Sequence, residues 1–310
     1  MILAAGLTPA WQQIAVVDSL GLGDVNRARR FVATASGKVI NVGIALHSLD
    51  APGRTLSFLG GVNGRAIREE FAASDIPARW VETATPTRVC TTILDDSNGG
   101  ATELVENAAP VTEDELMAFL AAFAEEALQA DSIVVSGSLP EGTPPDFHSR
   151  LLQSAAESGA RFILDISGPA LLRALEERPF LVKPNREELA RSLGRDLSAN
   201  ADLRKAMTEM IDRGANWCVV TDGPAATHAT DGSRFFEFQP PGNVPVVNPI
   251  GCGDCFAAGL AFGLDANRPM TDAVRLGIAA AAENLRQLLP ARLDRRAVEQ
   301  LAAKVERRES

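Results

Sequence analysis

The stretch VVNPIGCGDCFAAGLAFGL, residues 246–264, decides the fold of this chain. An apolar run over 244–247 predicts a strand that ends at Asn248 and Pro249, and a turn carrying Gly251 and Gly253 follows it. Small and apolar residues from Phe256 onward then predict a helix. A strand that stops at glycines just before a helix directs several backbone N–H groups, and the positive end of the helix dipole, at one place. That place suits a phosphate or a developing oxyanion.

Asp254 lies at the mouth of this predicted anion site. A carboxylate there can take a proton from a hydroxyl that attacks a phosphoryl group, so the pairing indicates a phosphotransferase. An isolated Gly-x-Gly-Asp is more often only a tight turn with an acidic helix start. Two other glycine motifs are excluded: a dinucleotide fingerprint needs glycine where Phe256 stands, and a P-loop needs Ser or Thr where Val39 follows Gly37 and Lys38.

Length and composition bound the class of protein. The chain has 310 residues, of which 46% are hydrophobic and 23% charged, so it can bury a large core. Its formal net charge of -10 argues against nucleic acid or an anionic membrane as the main partner. The first residues do not form a signal peptide and no apolar run approaches the length of a membrane span, so we expect a cytoplasmic protein.

Cys252 and Cys255 form the one Cys-x-x-Cys in the sequence, and neither a second pair nor a nearby histidine completes a zinc site. A redox pair is conceivable because a helix N-terminus lowers a thiol pKa. Two small residues in a crowded turn are the simpler interpretation.

The remaining sequence predicts two kinds of β structure. The segments 88–94 and 102–106 read as two strands joined by a turn at 95–100. Apolar and polar residues alternate along both, which is typical of a sheet with one open face outside the main core. Elsewhere solid apolar strands alternate with helices, which predicts a parallel sheet covered on both faces. The further predicted strands are 1–5, 13–18, 55–59, 133–135, 162–164, 180–182, 217–220 and two weaker ones before 244. The further predicted helices are 37–49, 67–73, one from a capping box at 112–115, 146–158, 171–175, 187–193, 203–213, 272–289 and 295–306.

Polar sequences follow three of the predicted parallel strands: SGSLP (136–140), KPNREE (183–188) and TDGP (221–224). Ligands of open parallel sheets bind beyond the carboxyl ends of the strands, so all three can face the site at 251–254. Asn185 and Glu188 have the spacing of a capping box. They can also hold a magnesium ion, through water, against nucleotide phosphates, and the two interpretations are compatible.

Six motifs together resemble the ribokinase-like (PfkB) sugar kinases, most of all the branch of 1-phosphofructokinase and tagatose-6-phosphate kinase. They are ASGKVINVGIAL (35–46), TPTRVCTTIL (85–94), TELVE (102–106), VVSGSLPEG (134–142), LVKPNREEL (181–189) and the stretch at 246–264. The resemblance covers nearly the whole chain in the family's order. It implies one domain over 1–310, a three-layer α/β/α fold with a mostly parallel central sheet, and a small β-sheet lid built from segments near 11–35 and 86–107.

The resemblance also implies roles for single residues. Asp254 would be the general base, and the amides of Gly251, Cys252 and Gly253 would form the anion hole. ATP would meet Lys183, Asn185, Thr221 and Gly223, with Asn284 near the adenine, and Mg²⁺ would be supported by Asn185 and Glu188. The sugar or sugar phosphate would meet Gln12, Gly37, Lys38, Asn41, Arg88 and Ser138. The lid would also join two copies into a homodimer.

Two departures from the branch fall on the sugar side. Gln12 stands where the branch has an aspartate that holds sugar hydroxyls, and Val39 replaces a glycine of the Gly-Gly-Lys-Gly motif. The resemblance as a whole still implies an ATP-dependent kinase of a ketohexose phosphate. A kinase of an unphosphorylated sugar or nucleoside is the alternative, and a catalytically idle sensor of a sugar or nucleotide is a third that Asp254 argues against.

Overall fold

The computed structural model describes residues 1–309, which form two β-sheets and two layers of helices. In chain order the elements are β1 (Ile2–Gly6), β2 (Ala10–Val17), β3 (Arg30–Ser36), α1 (Lys38–Ser48), β4 (Gly53–Leu59), α2 (Gly61–Ala73), β5 (Ala78–Glu82), β6 (Arg88–Asp95), β7 (Gly100–Val105), α3 (Glu113–Ala127), β8 (Ser132–Ser136), α4 (Phe147–Ser154), β9 (Arg161–Asp165), α5 (Pro169–Ala174), β10 (Leu181–Val182), α6 (Arg186–Leu193), α7 (Asn200–Asp212), β11 (Trp217–Val220), β12 (Thr227–Thr230), β13 (Phe235–Gln239), α8 (Cys252–Asp265), α9 (Met270–Asn284), α10 (Arg295–Ala302) and β14 (Glu306–Glu309).

The large sheet contains ten strands in the order β14-β13-β12-β11-β10-β9-β8-β1-β4-β5. The pairs from β5 across to β11 are parallel, whereas β12, β13 and β14 extend one edge antiparallel. Successive residues of a strand face opposite sides, so Ile2 and Ala4 of β1 join one core while Leu3 and Ala5 join the other. Helices α1, α2, α8, α9 and α10 cover the first face, and α3 to α7 cover the second.

Helix α8 is buried from Asp254 to Leu264, and glycine allows it to lie close to α9. A Cβ at Gly259 would stand 2.6 Å from the Leu276 carbonyl oxygen, and one at Gly263 would stand 2.7 Å from the Ala273 Cα. The small residues that the sequence shows in this helix therefore serve helix packing. Their close fit fixes the N-terminal end of α8 at the carboxyl edge of the sheet.

The small sheet has the order β3-β2-β6-β7 and confirms a separate sheet outside the core. Strands β6 and β7 form the expected antiparallel hairpin, and β2 pairs in parallel with β6. Every residue of β7 is exposed, which agrees with the predicted open face. Strand β3 was not predicted, because its sequence RFVATAS gives little alternation.

The predicted strand at 244–247 is wrong. The segment lies outside both sheets, and Val246 and Val247 are exposed. Pro245 interrupts it and Pro249 follows it, and a proline has no N–H for a strand ladder. The amides of Val247 and Asn248 instead donate to the Leu285 carbonyl at the end of α9. The anion turn therefore follows an extended loop and not a strand.

Several boundaries differ from the predicted ones. Helix α9 ends at Asn284 and α10 at Ala302, both earlier than expected, and the helix expected over 146–158 ends at Ser154 with a short 3-10 turn after it. Strands β5 and β14 were not predicted. Among residues 1–309, no helix has the length and apolar character needed to cross a membrane.

Candidate active site

Helix α8 begins at the predicted glycine turn, and its role as an anion site stays a prediction. Gly251 is the N-cap residue with φ 83, a left-handed backbone that glycine adopts without strain. The first amides of a helix have no carbonyl partner within the helix. The Cys252 amide makes a 3.4 Å hydrogen bond with the Pro249 carbonyl, while the Gly251 carbonyl accepts the Cys255 amide. Of the three predicted anion-hole amides, that of Cys252 is therefore partly engaged within the turn.

Asp254 lies in this first turn and is buried. Its Oδ2 accepts a 2.7 Å hydrogen bond from the Asn41 side-chain amide. Burial, and then the negative charge of Asp165, raise the pKa of Asp254 from 3.8 to about 6, against the opposing effects of Lys38, Asn41 and Lys183. The carboxylate is thus ionised at neutral pH and yet basic enough to accept a proton.

Two ammonium groups lie beside Asp165, which ends β9. Its Oδ1 is 3.1 Å from Lys183 Nζ and 3.7 Å from Lys38 Nζ, and its Oδ2 accepts from the Ser136 hydroxyl at 3.2 Å. Burial opposes the charged form of Asp165, but the two lysines outweigh burial and lower its pKa. Asp165, followed by Glu188, raises the pKa of Lys38 against the effect of burial. Lys38 is therefore held as a cation in the cleft, and Lys183 contacts the same carboxylate.

Helix α6 begins with the predicted capping box. The Asn185 side chain accepts the Glu188 amide at 2.7 Å, and the Glu188 Oε2 accepts the Asn185 amide at 2.9 Å. Glu188 also reaches across the cleft, since its Oε1 accepts from Lys38 Nζ at 3.1 Å. The structure thus brings this pair to the same cluster as Asp254. Such a box satisfies two otherwise unpaired amides at the helix start.

Thr221 and Gly223 lie in the loop that follows β11. Thr221 forms a parallel bridge with Asn185, so this loop lies beside the start of α6. Gly223 has φ 52, and a Cβ built there would meet nothing within 4 Å. The loop is further held by Arg186, which donates to the Asp222 carboxylate at 2.9 Å. These two predicted nucleotide residues therefore line open space next to Asn185.

Asn284 is not available to an adenine ring, contrary to its predicted role. It is fully buried, and its amide donates to the Ile250 carbonyl at 2.8 Å and to Cys252 Sγ at 3.3 Å. Its oxygen accepts the Ala291 amide at 2.7 Å. Asn284 instead holds the turn before α8 and has no free polar atom to offer a nucleotide.

Cys252 and Cys255 are free thiols, not a disulfide. Burial raises the pKa of Cys252 to about 11 and that of Cys255 well above its usual value. A reactive thiol needs the opposite shift. This favours the interpretation of the pair as small residues in a crowded turn.

On the sugar side, Gly37 is the N-cap of α1 and has φ 98. A Cβ there would stand 2.9 Å from the Ala10 amide nitrogen, so glycine is required for the turn that presents Lys38. Val39, the branched residue in place of a glycine, is buried in the core. It packs against Gly6, where an added Cβ would stand 2.9 Å from the Val39 Cβ. The substitution is therefore accommodated away from the cleft.

Gln12 lies on β2 and is buried. Its amide donates to the Thr92 hydroxyl at 2.7 Å and to the Gln13 carbonyl at 3.3 Å. Gln12 thus connects β2 to β6. The branch of 1-phosphofructokinase and tagatose-6-phosphate kinase has a carboxylate at this position. Ser138 is exposed, and its hydroxyl lies 3.4 Å from that of Thr8.

Arg88 begins β6, and its guanidinium is engaged by the backbone. It donates to the carbonyls of Thr8 at 3.1 Å, Pro9 at 3.4 Å and Glu106 at 3.0 Å. These contacts join the start of β2 to the end of β7. Arg88 therefore has a structural role, and its predicted contact with a sugar phosphate stays a prediction.

The comparisons with known proteins decide the family. The model of the "pfkB family carbohydrate kinase" matches residues 2–292. The chain belongs to the pfkB family of carbohydrate kinases. It is an ATP-dependent phosphotransferase with an alcohol group as acceptor, as this family and its phosphofructokinase neighbours indicate.

Solved structures described as phosphofructokinases have the same fold. A Thermotoga maritima protein described as a possible 1-phosphofructokinase matches with a TM-score of 0.92 and 22% identity over 100% of this chain and 99% of that one. Phosphofructokinase-2 from Escherichia coli in complex with fructose-6-phosphate matches with a TM-score of 0.85 and 28% identity over 98% and 99%. The tetrameric inhibited form of phosphofructokinase-2 from Escherichia coli matches with a TM-score of 0.86 and 27% identity, over 97% of this chain and 98% of that one.

One central residue of the site, Asp165, was not predicted from the sequence. Asp165 lies one residue beyond the predicted strand 162–164 and was given no role, yet it is the anion that holds Lys38 and Lys183. A signal existed, since the segment DISG (165–168) follows a parallel strand just as the three noted polar segments do.

Proposed function

We propose that this kinase transfers the γ-phosphoryl group of Mg-ATP to a hydroxyl of a ketohexose phosphate. The observation that carries the proposal is the position of Asp254, a buried carboxylate in the first turn of α8 that Asn41 orients by a 2.7 Å hydrogen bond. Asp254 takes the proton of the attacking hydroxyl as its oxygen bonds to phosphorus. The α8 amides and the ammonium groups of Lys38 and Lys183 stabilise the charge on the phosphoryl oxygens.

Glu188 and Asn185 support the proposed Mg²⁺ site. Within residues 1–309 no group of three His, Cys, Asp or Glu side chains could hold a metal alone. Magnesium in phosphoryl-transfer sites is commonly bound by one or two carboxylates, water and substrate phosphates. The Glu188 carboxylate and the Asn185 side-chain amide lie next to the open loop at Thr221, and this pair fits that manner of binding. The ion would neutralise charge on the phosphates when bound.

Two observations support a phosphorylated sugar as the substrate: the cations at the sugar side of the cleft and the ligand of a similar protein. Lys38 is a fixed cation at the sugar side, and Arg88 lies at the adjoining corner near Thr8. The Escherichia coli relative, at 28% identity, was crystallised with fructose-6-phosphate. An acidic protein needs such local cations for an anionic substrate, because its overall charge repels one.

One observation favours the alternative, a kinase of a free sugar or nucleoside. The Arg88 guanidinium donates three hydrogen bonds to backbone carbonyls, and the Gln12 amide donates to Thr92. A phosphate would have to displace at least one of the carbonyls from Arg88. The substrate screen below distinguishes the two.

The test is a coupled assay of ADP release over ketohexose phosphates, free sugars and nucleosides, with wild type and Asp254→Asn. We expect turnover of a ketohexose phosphate, and a fall in kcat on the order of 10²–10⁴-fold in the variant with little change in KM. Near wild-type turnover by Asp254→Asn would overturn the mechanism. A wild type that prefers free sugars would establish the alternative, and one that binds but never turns over would indicate a sensor.

We also propose that the small sheet closes over the sugar and joins two copies of the chain. The paired residues Phe31, Ala15 and Ile93 lie on one face of the sheet, as does Leu104 opposite Thr91. Phe31 is 57% exposed and Leu104 is 61% exposed. Phe31 and Leu104 lie on the two edge strands, and exposed apolar side chains across one face of a sheet are typical of an interaction surface.

A further inference from the structure

Glu70, on the third turn of α2, lies where three distant parts of the chain meet. Its carboxylate accepts the Thr34 hydroxyl at 2.6 Å and the Ala35 amide at 2.7 Å, both from β3. It also pairs with the guanidinium of Arg292, in the segment after α9. Both side chains of this ion pair are mostly buried, with 24% and 29% exposed.

Strand β3 is an edge strand of the small sheet, and it contacts helices α1 and α2 of the main body. An edge strand presents N–H groups that have no partner strand. Glu70 supplies the acceptor for one of them, at Ala35. The contact therefore fastens the small sheet to α2 just before the chain enters Gly37 and α1.

One line of contacts leads from this fastening to the catalytic base. Ser36 follows Ala35 directly, and its hydroxyl donates to the Asn41 oxygen at 3.1 Å. The amide group of Asn41 then donates to Asp254 at 2.7 Å. The placement of β3 thus sets the placement of the side chain that orients the base.

A second line of contacts leads from Arg292 to the anion turn. Its neighbour Ala291 donates to Asn284, and Asn284 donates to the Ile250 carbonyl at 2.8 Å. Gly251 follows, packed so closely that a Cβ there would stand 3.0 Å from the Pro290 Cβ. The segment that carries Arg292 therefore holds the amides at the start of α8.

We propose that the ion pair of Glu70 and Arg292 closes a ring of contacts through Asp254 and is a positioning device for phosphoryl transfer. It holds the Asn41 side of the base and the amide side of α8 in one fixed relation. This inference rests on the proposed role of Asp254 as the base. The two ion-paired side chains act through Asn41 and Gly251 and touch no reacting atom.

The test measures kcat, KM for ATP and melting temperature for Glu70→Gln and Arg292→Met, with Arg54→Met as the matched control. Arg54 donates to both oxygens of Glu126 at 3.1 Å, in a half-buried pair between β4 and α3 on the other side of the large sheet. We expect kcat to fall about 10- to 100-fold in both ring variants, because small misplacements of reacting groups have effects of that size. KM for ATP should change less than about threefold. The control should lose similar thermal stability and keep its kcat.

Thr34→Val is a milder third variant that removes one donor to Glu70 and keeps the side-chain shape, so it serves if the others do not fold. The double variant Glu70→Gln/Arg292→Met should lose no more kcat than the worse single variant, because both break one ring. Ring variants that lose no more kcat than Arg54→Met, or single effects that multiply in the double variant, would overturn the inference. An active Asp254→Asn would instead overturn the proposed base, whatever the ring variants do.

Discussion

At the scale of single residues, the burial of Asp254 sets the pH range in which it can act as a base. The same burial that excludes water from the carboxylate raises its pKa to about 6. A base must lose its proton before it can accept another from the substrate. We therefore expect kcat/KM to be level above pH 7 and to fall about tenfold per pH unit below pH 6. Initial rates at saturating ATP and low sugar, from pH 5 to 8, measure this; a fall that begins only near pH 4 would contradict it.

The raised pKa of Asp254 also predicts a stability effect. A carboxyl group with a higher pKa in the folded state than in the unfolded state favours folding at low pH, and this contribution disappears as pH rises from 3.8 through about 6. At pH 8 the ionised group therefore destabilises the fold by up to about 3 kcal/mol. Asp254→Asn should unfold at higher urea than wild type at pH 8, with the advantage vanishing near pH 4. Urea titrations of both proteins across that range give the comparison.

Arg88 tests the nature of the substrate. If its guanidinium binds the phosphate of the sugar, Arg88→Ala should lower kcat/KM for the sugar phosphate by roughly 30- to 1000-fold, since a charge-assisted bond is lost. KM for ATP should hardly change. Because Arg88 also joins Thr8 to Glu106, melting temperature is measured in parallel, and Arg88→Lys keeps the charge while losing the fork of donors. Equal use of every sugar phosphate by the alanine variant would exclude the contact.

At the scale of elements, the start of α6 combines a cap with a proposed metal site. Glu188→Gln keeps an oxygen for the Asn185 amide and removes the charge, so stability should barely change while the Mg²⁺ concentration for half-maximal rate rises several-fold. Glu115→Gln is the matched control, because Glu115 completes the capping box of α3 with Thr112. Rates over a magnesium titration and melting temperatures of both variants are compared. A lower melting temperature with an unchanged magnesium requirement would leave Glu188 as a cap alone.

At the scale of the whole molecule, the proposal that the small sheet joins two copies of the chain can be tested on its exposed face. Replacing Phe31 and Leu104 together by glutamate places two charges on its exposed face, which a buried interface does not accommodate. We expect wild type to be at least dimeric and this double variant to be monomeric by light scattering after size-exclusion chromatography. Met117→Glu, on the exposed side of α3, is the control and should leave the mass unchanged. A double variant with wild-type mass would place the interface elsewhere.

The sequence by itself determined the features that depend on neighbours along the chain. The alternation of apolar strands with helices predicted the parallel sheet, and the three-residue spacings at Thr112 and Asn185 predicted two capping boxes that the structure confirms. The glycines at 251 and 253 predicted the turn into α8. Helix periods, caps and turns are set by local sterics and hydrogen bonds, so a short window of sequence contains their cause.

Only the tertiary structure decided which side chains meet. Asn41 and Asp254 are 213 residues apart in the chain, and no local pattern pairs them. The same holds for Asp165 with its two lysines and for Asn284, whose burial removes it from any ligand. The run at 244–247 is apolar like a strand, but Pro245 interrupts it and it joins no neighbouring strand. Burial and long-range pairing depend on the packing of the whole chain, which is why the sequence indicated the chemistry of this site and the fold supplied its connections.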